Sequence, residues 1–159
     1  MRRLRRALQA AHVICAVGLL GEVWVLVALN LYATLTVDND RELARSAYRL
    51  MEVLVFAGGI PLSMLALATG LTLALTSHWG LVHYYWVFTK LLLLIAVIMF
   101  GMILFQPAPM AAAVADGSVS GGQQWRQVAV VATQLVMLGT ATVLAVFKPR
   151  RRIGWWPRR

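Results

Sequence analysis

The chain has 159 residues, 60% of them hydrophobic and only 13% charged, with a mean hydropathy of +0.73. Soluble domains carry about a quarter charged residues, so this balance excludes an ordinary soluble fold, and the length leaves no room for a soluble enzyme domain beside a membrane part. The net charge of +9 does not indicate nucleic acid, because the basic residues cluster at 2–6 and 148–159, flanking apolar runs, which is the pattern that sets membrane orientation.

The chain opens with MRRLRR and an apolar run over residues 10–35. That run is too long for the core of a signal peptide and has no small-residue cleavage site before the next polar stretch, so it reads as a retained first helix. Cys15, the only cysteine, excludes an intrachain disulfide and a CxxC site, and its apolar surroundings make it a small packing residue. Four segments reach the roughly 20 apolar residues that a spanning helix needs: about 8–35, 50–76, 82–105 and 124–147. Backbone in lipid must satisfy its own hydrogen bonds, so all four are helices. The fold expected over 1–159 is a single all-α domain, a four-helix transmembrane bundle with a basic tail at 148–159.

The first connection, TVDNDRELARSAYR, is charge-neutral, and Asp38 or Asn39 is positioned to cap a helical entry into the second span. The second, SHWGLVH, is short enough to force an antiparallel hairpin. The third, about 106–123, is rich in Pro, Ala, Gly and Ser and is expected to be a mobile loop. Since it contains almost no basic charge and the two ends are strongly basic, both termini are expected in the cytoplasm of a bacterial inner (plasma) membrane. The tail's Trp155 and Trp156 among arginines suit contact with anionic lipid. Small residues mark helix contacts: Ala11, Cys15 and Gly18 on the first span, Ala66 and Gly70 on the second. Pro61, following Gly58 and Gly59, is expected to kink or loosen the second span near its middle.

Few ionisable residues lie inside the spans: His12 and Glu22 on the first, Glu52 near the outer start of the second, and Lys90 on the third. Buried lysine at the centre of a span costs roughly 2.5–3.5 kcal/mol on insertion scales, so Lys90 needs a partner, a wet cavity or an escape to the interface. Tyr84, Tyr85 and Trp86 form an aromatic belt one turn before it, toward which its side chain leans. At about 1.5 Å per residue, Lys90 matches His12 in depth, while Glu22 lies about 15 Å further along, near the midplane. His83 sits two turns before Lys90 on the same face. His12, His83 and Lys90 thus form one candidate cytoplasmic-side pocket. A neutral imidazole in a helical bundle is a recurring haem ligand, which makes His12 the candidate iron ligand and haem b the candidate cofactor; interfacial hydrogen bonding is the alternative for both histidines. An unpaired carboxylate at the midplane neutralises itself, so Glu22 is expected to be protonated or bonded to a neighbouring helix, with a proton relay as the functional alternative. Met99, Met102 and Met110 are soft enough for Cu(I), though packing or lipid contact is the commoner use.

The stretches ALQAAHVICAVGLLGEVWVL, PLSMLALATGLTLAL and WGLVHYYWVFTKLLLLIAVIM together resemble a group of small bacterial, largely actinobacterial, four-helix integral membrane proteins of unknown function. More distantly, a histidine early in the first helix and a lysine in the third are similar to the haem-binding membrane protoporphyrinogen oxidase family and to the copper-resistance D membrane domain. In the oxidase family that histidine and lysine are linked to haem binding and activity, so the resemblance implicates His12 and Lys90. No nucleophile–base pair, phosphate loop or carboxylate dyad is recognisable in the sequence, so the expected function is a non-enzymatic membrane subunit or accessory protein, in contact with the bilayer and in a homo- or hetero-oligomer. A haem b-binding redox protein and a copper-handling protein are the alternatives.

Overall fold

The computed structural model describes residues 2–76 and 85–147. Among these the chain is all helical, with four helices long and apolar enough to cross a membrane: Arg3–Thr36, Arg41–Leu75, Phe88–Ala115 and Gly121–Ala145. Its elements are α1 (Arg2–Thr36), α2 (Arg41–Leu54), a π-helical turn (Val55–Gly59), α3 (Ile60–Leu75), α4 (Tyr85–Ile103), α5 (Pro107–Ala115) and α6 (Gly121–Phe147). The spans form a ring: α1 packs against α2 and α3 on one side and α6 on the other, and α4 closes the ring between α6 and α3.

Two stripes run through the core. On α1 the buried residues Cys15, Leu19, Val23, Leu26, Asn30 and Ala33, continued by Val37 in the turn that follows, recur at intervals of four or three, the spacing that keeps one seam of a helix on its neighbours. On α6 the same alternation runs through Gln124, Gln127, Val131, Gln134 and Leu138. Small residues set the α1–α3 approach as expected: Cys15 and Ala66 are buried, and a Cβ on Gly18 would already touch Leu62 at 3.4 Å.

Several boundaries differ from the sequence expectation. The second span begins at Arg41 rather than near residue 50, because its first half is an amphipathic helix: Ala44, Ala47, Tyr48 and Met51 are buried while Arg41, Glu42 and Arg49 are exposed. Its cap is neither Asp38 nor Asn39 but Asp40, in extended conformation, whose Oδ1 accepts the Leu43 amide at 2.9 Å. The reason is that α1 winds down through a turn over residues 37–39, with Asp40 N–H still bonded to Thr36 O, so the chain is free to start a new helix only after Asp40. The break expected at Pro61 takes a specific form. Ile60 N–H reaches back five residues to Val55 O, which inserts a π-turn just ahead of the proline.

The larger correction concerns the third connection. Residues 107–115 are not a mobile loop but the helix α5, which packs on α2 and buries Met110, Ala111 and Val114. Pro107 and Pro109 sit in its first turn, where no N–H is needed. Gly117, at φ +69°, ends it, with Ser118 N–H bonded to Ala113 O at 3.0 Å. The small residues that look like linker composition are what allow α5 to lie close against α2. Val114, fully buried, is the test: Val114→Asp buries a charge in the α5–α2 contact and should cost on the order of 2–4 kcal/mol. Proteolysis of the intact protein should cut 106–120 rapidly in this variant and slowly in the wild type; equal rates would show α5 to be undocked.

Candidate functional site

The polar side chains inside the bundle fall into two groups, those with backbone partners on a neighbouring helix and those without. His12 belongs to the first. Its Nδ1 lies 3.1 Å from Ala66 O and 3.1 Å from Thr69 Oγ1, both on α3. A carbonyl only accepts, so Nδ1 carries a proton and donates it; the Thr69 hydroxyl gives its own proton to Leu65 O at 2.6 Å and offers its oxygen to the ring. This is possible because position 70 is glycine. A Cβ there would stand 2.9 Å from His12 Cε1, so the imidazole lies directly on the α3 backbone.

Lys90, half-buried on α4, is engaged in contacts of its own and lies within electrostatic reach of His12. The third member of the expected pocket, His83, lies outside the described residues. With Nδ1 committed to α3, the neutral His12 ring presents Nε2 as its available lone pair, the arrangement by which a second-sphere carbonyl orients a ligating imidazole. Among the described residues no three His, Cys, Asp or Glu side chains gather as a metal site. Met99 and Met102 face outward, 47% and 71% exposed, whereas Met110 is buried on α5, so the three sulfurs do not converge.

Glu22 belongs to the second group. Its two carboxyl oxygens are buried without a hydrogen-bond partner, and they press on the π-turn: a Cβ at Gly59 would stand 2.8 Å from Oε1 and one at Gly58 3.0 Å from Oε2. Glu52 is not at the start of its span but about three turns in, because α2 begins at Arg41; it lines a cavity of about 260 Å³ with Arg45, Arg49 and the α5 residues Ala108, Ala111 and Ala112. Arg45 makes an ion pair with Glu42 at 3.5 Å on the same helix.

The sequence reading missed three kinds of residue. Gln134 donates from Nε2 to Val97 O at 2.9 Å, against Gly101, and so joins α6 to α4. Gln127 holds the end of α4 from both sides, its Oε1 accepting Gln106 N–H at 3.1 Å and its Nε2 donating to Leu104 O at 3.2 Å. Asn30 and Tyr48 are fully buried, with the Asn30 amide and the Tyr48 hydroxyl unpartnered. The glutamines were legible in their heptad spacing, but an uncharged side chain does not stand out in a search for ionisable groups.

The His12 clasp makes a direct prediction. Gly70→Ala should push the ring off α3, break both bonds and cost about 1–3 kcal/mol, an overpacking penalty at a rigid side chain. Thermal unfolding in detergent of Gly70→Ala, His12→Ala and the double variant checks it: the double variant should be clearly less destabilised than the sum of the singles, and strict additivity would show that the two residues do not meet. No protein-family model, curated protein or solved structure matches this chain.

Proposed function

We propose that this chain is a non-enzymatic subunit or accessory protein of a bacterial plasma membrane, crossing it four times with both termini in the cytoplasm. The observation that carries this reading is the use made of its polar side chains. His12 and Gln134 each bond one helix to the backbone of another, and Gln127 on α6 bonds the link between α4 and α5, so these groups hold spans together. Interhelical bonds of this kind are worth about 0.6 kcal/mol on average and up to about 1.7, enough to fix the order of helices that lipid alone does not drive together. Contact with anionic lipid through the tail at 148–159, and a homo- or hetero-oligomer, belong to the same proposal, as does kinship with the small four-helix family that the sequence resembles.

A second reading is favoured by His12 Nε2, which has no hydrogen-bond partner among the described residues: haem b held by His12, with Lys90 shaping the pocket. One experiment separates the two. Extracted in mild detergent, the protein should migrate in native electrophoresis as an assembly larger than the 17.6 kDa chain in its micelle, without a Soret band. Migration as a lone chain carrying stoichiometric haem, lost in His12→Ala, would overturn the accessory reading. Orientation is tested by a single cysteine at Ser118 in a Cys15→Ala background, which should react with an impermeant reagent in intact cells; reaction only after lysis would invert the topology.

A further inference from the structure

The Glu22 carboxyl is the one acidic group whose burial has no structural use visible among its neighbours. It lies about 15 Å along α1 from His12, so it is far from either end of the span. Both oxygens are sealed from solvent and neither makes a hydrogen bond. The nearest backbone is that of Gly59, where a Cβ would stand 2.8 Å from Oε1. The titratable groups on the elements packed around α1 are Arg41, Glu42, Arg45, Tyr48, Arg49 and Glu52 on α2 and the exposed Arg126 on α6; beyond them stand His12 on α1 itself and Lys90 on α4. Neither carboxyl oxygen has any of them as a hydrogen-bond partner.

The backbone facing it is also unusual. The π-turn shifts the Ile60 N–H from Phe56 O to Val55 O. The next amide that would serve Phe56 O, at π spacing, belongs to Pro61, which has no N–H. The turn therefore carries a carbonyl stripped of both its α- and its π-helical donors, in the same five residues whose glycines admit the carboxyl. Single π-turns of this kind recur at functional sites. A carboxylate and an orphan carbonyl, both acceptors, are mutually unsatisfied in hydrocarbon, and one proton on the acid satisfies both.

We propose that Glu22 and the π-turn Val55–Gly59 form a reversible proton-binding site inside the bundle, in which the carboxylic acid O–H is donated to a carbonyl released by the turn. Loading is a simple association: a proton from water joins the carboxylate oxygen, and unloading returns it to water, with no other bond made or broken. A hard metal cation suits the place less well, since it collects a shell of oxygens and the side facing Glu22 offers glycine backbone without a second carboxylate. Unloading leaves a bare carboxylate against the turn, so α1 must then shift or admit water, which couples proton occupancy to the α1–π-turn contact.

The test uses the full chain in liposomes. Infrared spectra at neutral pH should contain a protonated-carboxyl C=O stretch that is missing in Glu22→Gln, an isosteric variant whose melting temperature serves as the folding control. Dicyclohexylcarbodiimide, a membrane-soluble reagent for protonated carboxyls, should modify Glu22 in the wild type, with a rate that falls roughly tenfold per pH unit above the midpoint of the band and recovers on return to neutral pH. Gly59→Ala, which displaces the carboxyl from the turn, should shift the stretch frequency. Identical carboxyl spectra for wild type and Glu22→Gln would overturn the proposal by showing a permanently ionised group. Protection from the reagent by sodium at fixed pH would overturn it in favour of a cation site, and a band unchanged up to the pH of unfolding would overturn reversibility.

Discussion

The structure depends on one constraint: in hydrocarbon a polar group finds its partner within the protein or goes without. Apolar side chains give the spans no reason to prefer each other to lipid, so association rests on close backbone approach and on the few polar bonds that approach makes possible. The bundle places glycine where a polar side chain must reach a neighbouring backbone. Gly70 receives His12, Gly101 receives Gln134, and Gly58 and Gly59 receive Glu22. In each case the absent methyl is the condition for the contact. The first two contacts end in hydrogen bonds to a carbonyl or hydroxyl of the receiving helix, whereas the third ends at a turn whose own hydrogen bonding has been rearranged.

That pattern explains how much of the fold the sequence made legible. Four spans follow from hydropathy alone, because a continuous apolar run of that length satisfies its own backbone in lipid as a helix. The small residues Cys15, Gly18, Ala66 and Gly70 marked the α1–α3 contact correctly, since close approach has few other solutions. The segment 107–115 misled because Pro, Ala and Met have no strong periodicity over nine residues; only the presence of α2 beside it makes its buried face apolar enough to matter. The Asp40 cap was missed for a related reason. Three candidate capping residues stand in a row, and which one is used depends on where α1 finishes, a property of the whole helix rather than of the turn.

The candidate site was legible in its residues but not in its connections. Sequence depth placed His12 beside Lys90, and the fold brings them within electrostatic reach. It did not show that His12 would be turned toward α3, because helical periodicity describes one helix at a time and says nothing of which neighbour a side chain meets. The same limit applies to Glu22. Its isolation near the middle of a span was visible, and so was the Gly58–Gly59–Pro61 cluster, but their meeting is a tertiary fact.

Gly58, Gly59 and Pro61 would each be an ordinary helix-weakening residue in isolation. Together they exchange one α-helical bond for a π bond and leave a carbonyl with no following amide, at the point where an acid from another helix is inserted. If the glycines served close packing alone, an apolar residue at position 22 would pack there at least as well, without the several kcal/mol that an ionised, unpaired carboxylate costs inside a bundle. His12 sets the contrast. It meets its glycine with both of its bonds already made, and its contact is static, an anchor between α1 and α3. Glu22 meets its glycines with none, so the stability of its contact varies with whether a proton is present. The two sites lie on one helix, and the anchored end gives the other a fixed point against which to move.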